Sequence, residues 1–91
     1  MTPVDERALR LDGNAAAGVL ADALGADVTL ARSVCDGCGA VAHIGELVAY
    51  VHAPGIVLRC AQCESVMLRV VQSPAGYHMD LRGIRRLEIT G

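Results

Sequence analysis

Ninety-one residues with a formal net charge of −2 leave room for one modest domain and disfavour non-specific attraction to a phosphate backbone. Apolar residues make up 53% of the chain, yet Phe and Trp are absent and Tyr50 and Tyr77 are the only aromatic residues. The core must therefore be assembled from Val, Leu, Ile, Ala and Met, which bury less area each, and a chain of this size gains from a staple.

The N-terminus, from Met1 to Arg7, lacks the basic start and apolar run of a secretory signal. No apolar run approaches the roughly 18 residues of a membrane span, so a cytoplasmic location is expected. Residues 1–11 are polar with scattered apolar positions and read as a flexible N-terminal arm. Asp12 or Asn14 then offers an N-cap to a helix over 14–24, with Gly25 at the usual C-terminal stop. Ala16, Val19, Leu20, Ala23 and Leu24 fall on one stripe at helical spacing. The stripe lacks basic or aromatic flanks, which predicts packing on a sheet rather than on a membrane.

Residues 28–34 alternate apolar and polar and predict a strand running into Cys35. Cys35 and Cys38 form the first Cys-x-x-Cys pair, and Gly39 follows where positive φ is needed to close a tight turn. Residues 47–52 and 56–59 predict a hairpin, with Pro54 and Gly55 at the central positions of a type II turn. Its returning strand delivers Cys60 and Cys63, the second pair. Glu64 stands there where Gly would be easiest, so this turn must differ from the first or bear strain. Residues 65–72 continue as a strand, 73–76 turn, 77–82 return, and Leu87, Glu88 and Ile89 close a last short strand. The expected architecture is one twisted antiparallel sheet with the paired cysteines at one end and a helix laid against it.

All four cysteines thus lie in two Cys-x-x-Cys pairs separated by 21 residues. Two such pairs on tight turns converge on one tetrahedral ion when the intervening segment folds back, and the usual spacer is about 15–20 residues. A reducing compartment turns the same pattern away from structural disulfides. The reading is one structural Zn²⁺ held by Cys35, Cys38, Cys60 and Cys63. Iron with this ligand set is usually wrapped in aromatic side chains, which the chain nearly lacks. A thiol redox switch is the other chemistry of Cys-x-x-Cys, but it favours a helix N-terminus, and these pairs are flanked by predicted strands. The fold class is accordingly small α+β, mainly β: a zinc ribbon of antiparallel hairpins with an N-terminal helix, forming a single domain over 12–91.

Asp12-Gly13-Asn14-Ala15 at the helix start, the two cysteine pairs, Pro54-Gly55 between them, Asp80-Leu81-Arg82-Gly83 and Leu87-Glu88-Ile89 together resemble a family of small, uncharacterised zinc-ribbon proteins from actinobacteria, known as a domain of unknown function. The resemblance spans nearly all of the chain after residue 10. It implies zinc and a compact ribbon with an N-terminal helix, and no substrate.

Four thiolates fill a tetrahedral shell and leave no position for a reactive water, so hydrolytic zinc chemistry is not expected. His43, His52 and His78 read as ordinary sheet or loop residues rather than ligands. The sequence has no Gly-rich phosphate loop, nucleophile elbow or paired-carboxylate motif. Arg82, Arg85 and Arg86 form the one basic cluster, interleaved with Asp80 and Glu88, and read as a solvated, ion-paired face. The functional expectation is a non-enzymatic interaction module with a protein partner and no membrane. A nucleic-acid-associated role carried by Arg82, Arg85 and Arg86 is the alternative, beside the redox switch.

Overall fold

The computed structural model of the chain describes residues 10–24, 28–52 and 55–89. The chain opens with β1 (Arg10–Asp12), a short 3-10 turn (Gly13–Ala16) and α1 (Ala17–Leu24). β2 (Arg32–Cys35) and β3 (Val41–His43) follow, then a second 3-10 turn (Ile44–Glu46), β4 (Val48–His52) and β5 (Gly55–Arg59). β6 (Val66–Ser73), β7 (Gly76–Asp80) and β8 (Ile84–Glu88) complete the described chain. Mainly antiparallel strands with one N-terminal helix are thus as the sequence predicts.

The strands form two sheets rather than one. Five strands are ordered β1-β4-β5-β6-β7, and three are ordered β3-β2-β8. The second sheet exists because β8 pairs with β2, Arg32 opposite Glu88 and Val34 opposite Arg86, across more than fifty residues of sequence. Hairpin logic links only neighbours in sequence, so the single sheet expected from it becomes two once β8 takes a distant partner.

Three local expectations change. The strand predicted over 28–34 begins only at Arg32, because Ala31 N–H donates to Val28 C=O at 2.9 Å in a turn. Strict alternation would place Val28 and Leu30 on one face, whereas Val28 is 2% exposed and Leu30 80%. The predicted helix 14–24 splits into the 3-10 turn and α1, whose inward residues are Ala16 and Leu20. The central hairpin forms, but Gly55 lies in β5 opposite His52 instead of in the turn; Ala53 and Pro54 lie outside the described residues, as does the expected helix stop at Gly25. At the N-terminus, Arg10–Asp12 pairs with β4, so the sheet starts inside the segment read as an arm, and residues 1–9 lie outside the described ones.

One cluster of buried residues joins these layers: Leu20 from α1, Ile44 and Leu47 from the second 3-10 turn and its exit, Leu58 from β5, and Met67 and Val70 from β6. Burial alternates along β5, with Ile56 and Leu58 inward. Along β6 it does not, since Met67 and Leu68 are both buried. A register shift at Leu58/Arg59 explains this: Arg59 pairs with Val66 and Leu58 with Leu68, leaving Met67 as the extra residue of a bulge, where the alternation is interrupted. Ser33 is fully buried and donates its hydroxyl to Ala42 C=O at 2.9 Å, so a polar side chain in this core is satisfied.

The two 3-10 turns pack backbone against backbone at Gly13, where an added Cβ would overlap the Ile44 carbonyl oxygen. Ile44 N–H and Gly45 N–H donate to Ala31 C=O and Thr29 C=O at 2.9 and 2.8 Å, which pins the facing turn and gives it no room to retreat. Gly13→Ala should therefore destabilise the fold by about 1–3 kcal/mol, as overpacking does. Thermal denaturation followed by far-UV circular dichroism reads this directly, and an unchanged melting temperature would refute the close packing.

Candidate metal centre

Each cysteine pair sits on the same turn. In the first, Gly39 N–H donates to Cys35 C=O at 2.9 Å, and Cys35 N–H donates to Ala40 C=O at 2.9 Å. In the second, Glu64 N–H donates to Cys60 C=O at 3.0 Å, and Cys60 N–H donates to Ser65 C=O at 2.9 Å. Residues 35–40 and 60–65 are thus two copies of one knuckle. The fifth residue of each takes a left-handed backbone, φ 76° at Gly39 and φ 65° at Glu64. The turn containing Glu64 does not differ; it bears the strain, about 1–2 kcal/mol for a residue with a Cβ.

Arg59 braces that strained residue. Its Nη1 donates to Glu64 C=O at 3.0 Å, and its guanidinium lies 5.8 Å from the Tyr50 ring centroid. The first knuckle has its own arginine: Arg85 Nη2 donates to Asp36 C=O at 3.3 Å, while Asp36 N–H donates to Gly83 C=O at 2.9 Å. A β-bulge adjoins each knuckle, between Leu58 and Arg59 and between Val34 and Cys35, where the local bend and twist re-aim the exit of the strand.

These turns bring all four Sγ atoms within 4.8 Å of one another, a group that could hold a metal ion. Cys35 and Cys63 are 3.6 Å apart at sulfur, and Cys38 and Cys60 are 3.7 Å apart. Both distances exceed the roughly 2.05 Å of a disulfide. They match the edge of about 3.8 Å expected for a tetrahedron of thiolates around Zn²⁺ at about 2.3 Å. One cysteine of each pair, Cys35 and Cys60, is buried, and its partner, Cys38 or Cys63, faces outward.

The sulfurs are unequal. The Ser65 hydroxyl lies 3.0 Å from Cys63 Sγ and, with the Ser65 amide, lowers the Cys63 pKa to about 6. At Cys38 the Ala40 amide pulls the same way, but desolvation and the sulfurs of Cys63, Cys60 and Cys35 outweigh it and raise that pKa to about 11. Gln62 N–H also points at Cys60 Sγ, at 3.4 Å. Packing four thiols this closely opposes ionisation of all of them together, and a divalent cation removes the conflict by deprotonating every ligand.

The chain belongs to the family of unknown function DUF6510, whose model matches residues 5–91. No curated protein and no solved structure matches it. Membership thus covers both knuckles and the eight described strands without assigning an activity.

The described side chains among the other expected residues have partners of their own. His43 Nδ1 is 2.8 Å from Glu46 Oε1, and His78 Nε2 is 3.3 Å from Ser73 Oγ; the His52 side chain lies outside the described residues. Arg82, Arg85 and Arg86 each face a carboxylate, Asp80, Asp36 and Glu88 respectively, so their charge is balanced locally. Arg82 holds the Asp80 carboxyl down at about 2. Among the described residues no helix is long and apolar enough to cross a membrane. The sequence reading missed Arg59 and Ser65, the two side chains that steady the second knuckle. The signal for Arg59 was the non-glycine at 64, which had to be held by something.

Two outcomes follow from this geometry. Glu64→Gly should stabilise the fold by up to about 1 kcal/mol, since relief of left-handed strain exceeds the added entropy of the unfolded chain, whereas Arg59→Ala should destabilise it by about 1–2 kcal/mol. Urea denaturation of both variants checks the opposite signs, and a destabilised Glu64→Gly protein would contradict the strain. Binding of a metal ion by these sulfurs should weaken with acid, because protons compete for them, so the stability such an ion gives is present at higher pH and lost as pH falls. Release of Zn²⁺ from protein loaded with it, followed with a chromophoric chelator across pH 4–8, measures this, with a pH-independent release as the contrary result.

Proposed function

We propose that this chain is a non-enzymatic zinc-ribbon protein, with one structural Zn²⁺ bound by Cys35, Cys38, Cys60 and Cys63, that acts as a protein-interaction module in a reducing cytoplasm. The observation that carries the metal reading is the convergence of the four sulfurs within 4.8 Å, with edges of 3.6 and 3.7 Å. Zinc is favoured by an all-thiolate tetrahedral set, which also suits its lack of redox chemistry in a site with two exposed sulfurs. A complete shell of protein ligands supports a structural role over a hydrolytic one, because no coordination position remains for water.

The position of the cluster supports the same reading. One knuckle lies between β2 and β3 of the smaller sheet and the other between β5 and β6 of the larger, so a single ion would tie the two sheets together. The interaction role rests on what the sheets leave open: β3, β7 and β8 are edge strands, whose outward N–H and C=O groups can pair with another chain.

Native mass spectrometry of anaerobically purified protein, with and without chelator, should give one zinc per chain that is lost together with folded structure. Cys35→Ser should unfold the chain or sharply lower its melting temperature, because metal-binding free energy is folding free energy here. A variant that melts like the parent, or a folded metal-free protein, would overturn the staple.

A further inference from the structure

A cavity of about 510 Å³ opens directly beside the metal centre. Its lining includes Leu47 and Met67, both 1% exposed, together with the ligands Cys38 and Cys60 and, at the rim, Val41 and Glu46. That volume lies within the range of about 300–1,000 Å³ typical of ligand pockets. No arginine lines it. The fixed charge is negative throughout: the Glu46 carboxylate on one side and, once a divalent ion is bound by four thiolates, a centre of net charge about minus two on the other. Such a space rejects phosphate and favours a cation with a long apolar stem, which can lie along Leu47 and Met67 and still reach both negative groups.

The neighbouring backbone specifies what carries that cation. β3 is an edge strand of the smaller sheet. Cys35 N–H bonds to Ala40 C=O, and the antiparallel register pairs Val34 with Val41 and Ser33 with Ala42. Hydrogen-bonded and non-hydrogen-bonded pairs alternate along such a ladder, so the N–H and C=O of Val41 point away from β2, toward the open edge. The Val41 side chain is 60% exposed beside them. At the next outward position His43 N–H is already taken by Glu46 Oε1 at 3.0 Å, which ends the available edge and fixes where a guest strand stops.

We propose that this cavity is the seat for an arginine or lysine side chain of an extended partner peptide that adds to β3 through Val41. Backbone bonds to Val41 supply the docking direction, and the cation in the cavity supplies the selectivity. This deepens the interaction-module reading and rests on it, since part of the negative charge comes from the metal thiolates. The partner is basic where this chain is acidic, consistent with its formal charge of −2 before any metal is counted.

The test is a titration of ¹⁵N-labelled, zinc-loaded protein with an acetylated, amidated heptapeptide of alternating valine and arginine, against the same peptide with glutamate in place of arginine. The expected result is saturable shifts at the Val41, Ala42 and Gln62 amides with the arginine peptide alone. Glu46→Gln, which keeps an oxygen for His43 N–H, should weaken binding about tenfold by removing a charge-assisted partner. Val41→Pro removes the edge N–H without changing charge and should abolish the shifts, with its fold checked by dispersion of the remaining amide signals. Absence of saturable shifts, equal shifts with the glutamate peptide, or binding indifferent to Glu46→Gln would each overturn the proposal. Zinc measured on the same samples separates the two readings: zinc-loaded protein that ignores the peptide overturns this inference alone. Metal-free folded protein that binds the arginine peptide upholds the cavity and overturns the zinc staple.

Discussion

Convergence of four cysteine sulfurs, two from a knuckle of each sheet, is the constraint around which the rest of this fold is arranged. The core is built without Phe or Trp, and its largest buried side chains are Leu, Ile and Met. Apolar burial from such residues has to offset the backbone entropy of two sheets that share little hydrogen bonding with each other. A sulfur cluster contributed by one knuckle from each sheet joins them at a point where neither hairpin alone would. Cys35 and Cys60 belong at once to the buried cluster and to the sulfur cluster, so the apolar core and the candidate metal site are one continuous structure.

The two knuckles show how a repeated geometry is reached from unequal residues. Gly39 adopts the left-handed turn at little cost, whereas Glu64 adopts it with its carbonyl held by Arg59 and its neighbour Ser65 bonded to Cys63. The second knuckle is accordingly the more elaborate, with Tyr50, Arg59, Glu64 and Ser65 forming a connected set around it. Unequal surroundings also produce unequal sulfurs. Hydrogen bonds from Ser65 lower the Cys63 pKa, whereas desolvation and the neighbouring sulfurs raise that of Cys38 against the pull of the Ala40 amide.

Charge on the surface is distributed with a similar economy. The three C-terminal arginines are matched one to one with carboxylates, and Arg85 also bonds to the first knuckle through the Asp36 carbonyl. Exposed pairs of this kind add little stability, and they balance this arginine cluster locally. The Glu46 carboxylate, by contrast, borders the cavity beside β3, which no arginine lines. Electrostatics and the open strand edge therefore point to the same part of the molecule.

The sequence by itself determined the four cysteines that converge, the strand-rich composition with one N-terminal helix, the hairpins over 47–59 and 65–82, and the place of conflict at Glu64. These are local properties: cysteine spacing, alternation and turn chemistry act within about a dozen residues. Only the tertiary structure decided that β8 leaves its neighbours to pair with β2 and that residues 28–31 turn instead of extending. It also decided that a bulge at Met67 interrupts the β6 alternation and that Gly13 is wedged against Ile44. Each of these follows from a contact between segments distant in sequence, where burial and close packing override local propensity. A bulge or an unexpected partner strand leaves no periodic trace, because it is fixed by how the layers fit together after the local elements have formed.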